Sequence, residues 1–419
     1  MPRFKKETVK VVNVNDLLDL IGMSLIDDIV NELQSDKWVP KLKTGSIFKL
    51  IMYSILDSER LSLRVMETNY NSPMFKALEA TAVGETSHSS IRDRLITIDV
   101  RFFERMYDQT LNVLNQHYDA PQLNHYNIKR YDSTMIAVFS HLLKGMEVGN
   151  TSKKKNQVKL TTELQNGCQI KMRFSKEQSD LAEETALKTL IEASTHSKND
   201  LIVFDRGLKS RETFVSFNEQ LRFVTRLNDQ NRYKFVRACG DIKATDLQDH
   251  PTLEFIQDSI VYLYGDGHKL VKEEFRLVEV KRREDGKTLF FLTNITDLSA
   301  ALIAEIYKKR WEIEVFFRFL KQEMNLNHLV CNDINAIQVM IYCTMITAML
   351  ILVYKKKNEI KSYKIAKIQF FKELEAALIL EMTETPELIL RLRQNIIKHI
   401  QKKGKNLSYT TDYELGITN

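Results

Sequence analysis

The spacing of apolar residues changes near residue 126, and this change limits the fold more than any other feature of the chain. Before it, "DLLDLIGMSLIDDIVNEL", "SIFKLIMYSIL" and "RFFERMYDQTLNVLNQH" repeat apolar residues every three or four positions, as helices with one buried face do. After it, "NIKRYDSTMIAVF" is rich in strand formers. Val158, Leu160, Thr162 and Leu164 then alternate, Asn166-Gly167 follows, and Cys168, Ile170, Met172 and Phe174 alternate again. Asn-Gly between two alternating runs predicts a β-hairpin. A helix at "DLAEETALKTLIEAS", the apolar strand "LIVFD" (201–205), a helix near 210–220 and the strand "LRFVTRL" come next. The order β-β-β-α-β-α-β predicts an α/β core, a mixed sheet with helices on its faces.

From about 228 to 296 short strand-like runs ("YKFVRA", "DSIVYLYG", "EEFRLVEVKRR", "KTLFFLTNI") read as a β-rich insertion in that core. Asp297 or Ser299 is then expected to cap one long helix containing "IYKKRWEIEVFFRFLKQEMNL". Twenty uncharged residues, Asn335 to Tyr354, are long enough to cross a membrane. Asn335, Gln338, Thr344 and Thr347 dilute them, so a helix buried in a large core is expected instead. A chain of 419 residues exceeds what one core usually supports. The expected parts are a helical N-terminal DNA-binding region (1–120), a first core segment (126–227), the insertion (228–296), a second core segment with the catalytic and buried helices (297–353), and a basic helical tail (354–419).

The net charge of +6 is unevenly spread. Basic runs at Lys153–Lys155, Lys281–Arg283, Lys355–Lys357 and Lys402–Lys405 suit phosphate backbones, or equally a solvated surface. Four cysteines without a CxxC pair argue against zinc and against a disulfide framework, and fit a reducing cytoplasm. The start "MPRFKKETVK" has no apolar stretch of the kind that signals secretion.

On a helical wheel Tyr307, Arg310, Glu314, Arg318 and Lys321 share one stripe with Trp311 beside it, next to an apolar stripe of Ile313, Phe316, Phe317 and Leu320. The charged stripe reads as a salt-bridged solvent face or as a nucleic-acid surface, with cations for phosphates and rings for bases. Two more acids are placed by strands: Asp132 within "YDSTM" and Asp205 at the end of "LIVFD", where ligands of open α/β sheets collect. If Asp132, Asp205 and Glu314 converge, their repulsion requires a cation, and hard oxygen donors suit Mg²⁺ or Mn²⁺. In the N-terminal region a helix capped from "TSHSS" bears Arg92 and Arg94, either as DNA contacts or as parts of an ordinary capped helix.

"YKKRWEIEVFFRFLK" resembles the Y-x2-R-x3-E-x6-K signature of the IS4-type bacterial insertion-sequence transposases, with Tyr307, Arg310, Glu314 and Lys321 on its four positions. "YDSTMI" and "VFDRGL" resemble the family's two Asp motifs, in the family's order with a β-rich insertion before the Glu. The resemblance spans about 126 to 350, and "SHSSIRDRL" resembles part of the family's N-terminal region. It implies an RNase H-like catalytic core with a triad of Asp132, Asp205 and Glu314. It implies two Mg²⁺ ions per site and no nucleotide cofactor. The partners implied are double-stranded DNA, as terminal inverted repeats and as target, and a second copy of the chain on that DNA. The action implied is end cleavage and strand transfer, in a cytoplasmic, nucleoid-associated protein that needs no membrane. Tyr307, Arg310 and Lys321 take the signature's DNA-handling roles, with Trp311, Arg318, Arg92 and Arg94 as further expected DNA contacts. Members of the family can use a Trp in the insertion to stack on a flipped base. Leu289 stands there in this chain, with Phe290 or Phe291 as a substitute ring or as core. A DNA-binding descendant that no longer cuts, and another two-metal nuclease on the same fold, are the alternatives.

Overall fold

The computed structural model describes residues 14–79, 82, 84–117, 126–138, 147–148, 155–165, 169–175, 183–228, 232–239, 251–265, 269–327 and 329–403. Helices α1 (Val14–Ile21), α2 (Met23–Leu33), α3 (Thr44–Asp57), α4 (Leu63–Tyr70), α5 (Pro73–Leu78), α6 (His88–Thr97) and α7 (Val100–His117) come first. Then follow β1 (Asn127–Val138), β2 (Glu147–Val148), β3 (Lys155–Gln165), β4 (Gln169–Ser175), α8 (Glu183–Ala193), β5 (Asp200–Phe204), α9 (Arg211–Gln220) and β6 (Arg222–Leu227). Strands β7 (Tyr233–Ala238), β8 (Leu253–Tyr264), β9 (Leu270–Arg282) and β10 (Thr288–Thr293) lead to α10 (Ala300–Lys308) and α11 (Trp311–Gln322). The last helices are α12 (Ile334–Lys357), α13 (Tyr363–Glu384) and α14 (Pro386–Lys403).

These elements form two compact units: Leu111–Asn327, and the residues before and after that segment. The helical unit is built around α12. Eighteen of its residues, Ala336 among them, are buried, the state of a helix that is apolar on all sides. Asp333 caps it by accepting from the backbone N–H groups of Asn335 and Ala336. The Asn335 side chain donates to the carbonyls of Leu95 (3.0 Å) and Ile98 (2.8 Å) at the end of α6. The helix is long and apolar enough to cross a membrane, but 94% of its apolar window is buried against protein. The sequence grouped α12 with the catalytic core. Its partners here are α13, which follows it directly, and α1, α3 and α6, which lie remote along the chain.

The other unit is one mixed sheet in the order β2-β3-β1-β5-β6-β10-β9-β8-β7, with β4 also on β3. β1, β5 and β6 run parallel, and β3 is antiparallel to β1. The expected hairpin pairs β3 with β4 from Lys159↔Ser175 to Gln165↔Gln169; the Asn166-Gly167 turn lies outside the described residues. The insertion extends the core sheet directly, since β10 pairs antiparallel with β6 and carries β9, β8 and β7 beyond it.

Each sheet face has its own core. One gathers Tyr131, Ile202, Phe204 and Phe223 with Leu187 and Leu190 of α8 and Phe214 and Phe217 of α9. The other gathers Ile128, Leu201, Val203, Val224 and Phe291 with Ile303, Ile306 and Tyr307 of α10. Within the insertion, Arg276 of β9 pairs with Asp258 of β8 (2.6 Å), both nearly fully buried. Its guanidinium also donates to the carbonyls of Ile295 and Leu298, just before α10. Breaking a buried pair strands a charge, so Arg276→Ala is expected to cost roughly 3–5 kcal/mol of stability. A urea midpoint equal to the parent's would show that this bridge holds nothing.

Candidate active site

Strand register brings the two aspartates together. The parallel pairing of β1 and β5 runs from Asn127↔Asp200 to Tyr131↔Phe204. The next step along both chains is Asp132 and Asp205, at the carboxyl end of the parallel strands where side chains project toward ligands. Strand alternation puts Asp132 on the face of Arg130 and opposite that of Tyr131. Tyr131 packs into the α8–α9 core, and Arg130 reaches the turn after α10. The acids therefore meet the helices that carry the charged stripe.

The expected single long helix is two. Ser299, rather than Asp297, caps α10 by accepting from the Leu302 N–H, and Asp297 pairs with Arg222 instead. Around Lys309 and Arg310 the backbone bonds shorten to three-residue steps: Arg310 N–H to Tyr307 O, Glu312 N–H to Lys309 O, and Ile313 N–H to Arg310 O. This is a turn of 3₁₀ geometry, tighter than an α-helix. Arg130, 4% exposed, fixes it by donating to the Lys309 carbonyl (2.8 Å) and pairing with Glu312 (2.8 Å). Sequence reading missed Arg130. Its one signal is its place two residues before Asp132, on the same strand face.

Arg310 lies among the three acids. One guanidinium nitrogen is 2.5 Å from Glu314 Oε1 and another is 3.7 Å from Asp132 Oδ2. The guanidinium also lies over the Tyr307 ring, 5.6 Å from its centre, and the Tyr307 hydroxyl donates to Asp205 Oδ1 (3.1 Å). Thus Asp132 and Glu314 are linked through Arg310, and Asp205 joins them through Tyr307. Burial disfavours the charge on Arg310, but Tyr307, Asp205 and Glu314 more than offset it and hold its pKa above the ordinary value. Nε and Nη1 of Arg310 are buried without hydrogen-bond partners, so charge holds this side chain more than bonds do.

Burial first, then the charge of Asp205, pushes the Tyr307 phenol up to about 12. It stays protonated near neutral pH and serves as a donor to Asp205, not as a base. Phe291 lies against Tyr307, ring centres 4.9 Å apart, and is core, not a free stacking surface. Burial lowers the pKa of Lys321 while Asp132 opposes the shift, which puts the amine within reach of that carboxylate's field. Trp311, 53% exposed, pairs with Arg318, 5.8 Å from its ring, as an exposed aromatic–cation pair on α11.

Among the described residues, no three acidic, imidazole or thiol side chains stand close enough together to hold a metal ion. The donor set nevertheless suits a hard divalent ion: three carboxylates from two strands and a helix arranged around one positive charge.

In the helical unit the capped helix forms as expected, with Ser87 accepting from the Ser90 N–H. Arg92 is exposed beside Asp93. Arg94 corrects the expectation: its guanidinium points inward, pairing with Asp36 and donating to the carbonyls of Ser35 and Leu42 and to Thr44 Oγ1. With its side chain 10% exposed, it is a structural brace and not a phosphate contact.

Residues 125–350 match the family described as Transposase DDE domain. A Sinorhizobium fredii protein assigned as a transposase, y4zB, is 30% identical over 38% of this chain and 43% of its own length. A Synechocystis protein assigned as the transposase of insertion sequence element IS4SA is 32% identical over 37% and 41%. A Geobacillus stearothermophilus protein assigned as the transposase of IS5377 is 26% identical over 44% and 48%. The chain spans less than half the length of each of these relatives. The family match covers more than half of this chain, including all three acids and the whole Tyr-Arg-Glu-Lys series, and on that basis the chain belongs to the DDE-domain transposases of insertion sequences.

Proposed function

We propose that this protein cleaves the ends of its own insertion sequence and joins them to target DNA, by cut-and-paste movement. The observation that carries the reading is the gathering of Asp132, Asp205 and Glu314 around Arg310 at the carboxyl end of the parallel strands, inside the matched region. A central strand bearing the first acid and a parallel neighbour leading directly into the second also support an RNase H-like core.

Members of this family depend on divalent metal ions. Here Asp132, Asp205 and Glu314 would hold them, Mg²⁺ or Mn²⁺, two per site. Such ions, when bound, activate a water or a 3′-hydroxyl on one side of a phosphodiester and stabilise the leaving oxygen on the other. Tyr307 keeps Asp205 oriented. Arg310, displaced from the acids, and Lys321 turn their charge to the phosphate of the DNA end. Trp311 and Arg318 offer a ring and a cation to the flanking strand, and Arg92 offers another cation in the helical unit. Double-stranded DNA is the substrate, and joining two ends calls for two copies of the chain. Base stacking by the insertion has less support, since Leu289 and the buried Phe291 leave Phe290, partly buried in the opposite core, as the remaining ring. A second reading, a DNA-binding descendant that no longer cuts, draws on Arg310 occupying the place a metal would take.

A strand-resolved cleavage assay on labelled DNA carrying the gene's own flanks separates the two. Metal-dependent cuts at the flank boundary, abolished by EDTA, are expected. Specific binding without any cut in Mg²⁺ or Mn²⁺ selects the second reading. In the same system Lys321→Ala should weaken binding of the cleaved end. The dependence of log affinity on log salt should fall by about 0.9, the share of one neutralised phosphate. An unchanged slope would remove Lys321 from the DNA.

A further inference from the structure

The loop between α2 and α3 presents a surface that the transposase reading does not use. Trp38 stands on it 88% exposed, the most exposed large hydrophobic side chain among the described residues. The Lys37 ammonium lies 5.9 Å from the centre of its ring, and Lys41 and Lys43 follow within five positions.

The loop is braced. Gln34, Trp38 and Leu42 have φ of 49°, 65° and 58°, a conformation that non-glycine residues hold only where their surroundings impose it. The surroundings here are Arg94 and Asp36. Arg94 donates to Ser35 O (3.3 Å) and Leu42 O (3.0 Å), one at each end of the loop. Asp36 accepts from the Thr44 N–H (2.8 Å) and Thr44 Oγ1 (2.7 Å). Its base is thus tied shut while a flat apolar ring is held out beside Lys37, with Lys41 and Lys43 following on the same loop. Water is a poor environment for an indole, and nothing among the described residues of the helical unit covers it. Three lysines within seven residues favour a polyanion over an apolar protein face.

We infer that the Asp36–Lys43 loop is a second DNA-binding element for duplex DNA. Lys37, Lys41 and Lys43 contact phosphates, and Trp38 enters a groove as an apolar wedge against sugar and base edges. The inference rests on the reading that the protein acts on DNA, and assigns to that activity a surface outside the carboxylate site.

The test uses the full chain, a labelled duplex carrying the gene's own flanking end, EDTA to suppress cleavage, and fluorescence anisotropy over a range of salt. Trp38→Ala is expected to weaken binding about ten-fold, while Trp38→Phe stays within about three-fold of the parent. Replacing Lys37, Lys41 and Lys43 together by Gln should reduce the salt slope by about 0.9 for each phosphate no longer neutralised. Parental affinity and slope in both Trp38→Ala and the triple variant would overturn the loop's role and leave the DNA reading standing. A parent that binds no duplex would overturn the DNA reading, and the loop's role with it.

Discussion

Asp132→Ala, Asp205→Ala and Glu314→Ala are each expected to lower end cleavage by on the order of 10³-fold or more, with DNA binding largely kept. Removing a single oxyanion donor from an active site already costs about 10²–10³-fold, and a carboxylate that would hold a metal ion contributes to both the attacking and the leaving oxygen. The three acids should also act as a unit. Once one is gone, replacing a second costs little more, as for other groups that share one function. Cleavage rates for the three single and three double variants, measured beside filter binding of the same DNA, give the answer. A single variant that still cuts at the parental rate removes its residue from the metal site. Doubles whose losses multiply would show three independent roles in place of one shared site.

The second large effect belongs to Arg310. In the structure its charge balances the carboxylates that a metal ion would otherwise balance, so Arg310→Ala should have opposite consequences with and without metal. Without it, Asp132 and Glu314 lose their shared cation, and about 2 kcal/mol of stability goes with it. That corresponds to a fall in Tm of roughly 4–8 °C for a unit of this size. With divalent ions the variant should recover more stability than the parent does, because binding to the folded state alone raises its stability. Its Mn²⁺ affinity, read from free Mn²⁺ by electron paramagnetic resonance, should rise about ten-fold or more, since the ion no longer displaces a guanidinium. Equal Mn²⁺ affinity in variant and parent would mean that Arg310 and the ion occupy different places.

What was legible in the sequence was whatever the chain encodes locally. Alternation marked β3 and β4, the uniformly apolar run marked the buried β5, and Ser87 and Ser299 marked their helices by capping. The two aspartates stood out because each lies at a strand position where the sheet offers side chains to a ligand. The signature spacing then tied Glu314 to them. The break between α10 and α11 was not legible, because no Gly or Pro marks it. It depends on Arg130, 179 residues away from Lys309 in sequence. Arg94 was left open for a related reason. An exposed cation and a buried brace look alike until Asp36, Leu42 and Thr44 close around one of them.

The helical unit is discontinuous in sequence, and this orders events on the ribosome. Its first helices are made early, yet the backbone N–H of Val14 donates to Glu373 (3.2 Å), and Glu373 also accepts from the Tyr354 hydroxyl (2.6 Å). Those partners emerge only after the whole sheet unit has been synthesised, a wait of roughly 15–75 s at about 5–20 residues per second. Until then α3 and α6 have no α12 to cover their apolar faces, while Leu111–Asn327 can complete its own core as it leaves the exit tunnel. The catalytic unit therefore matures first. Messages broken between codons 327 and 334 would yield chains with an intact carboxylate site and unshielded N-terminal helices, which are substrates for chaperones and proteases before they can reach DNA.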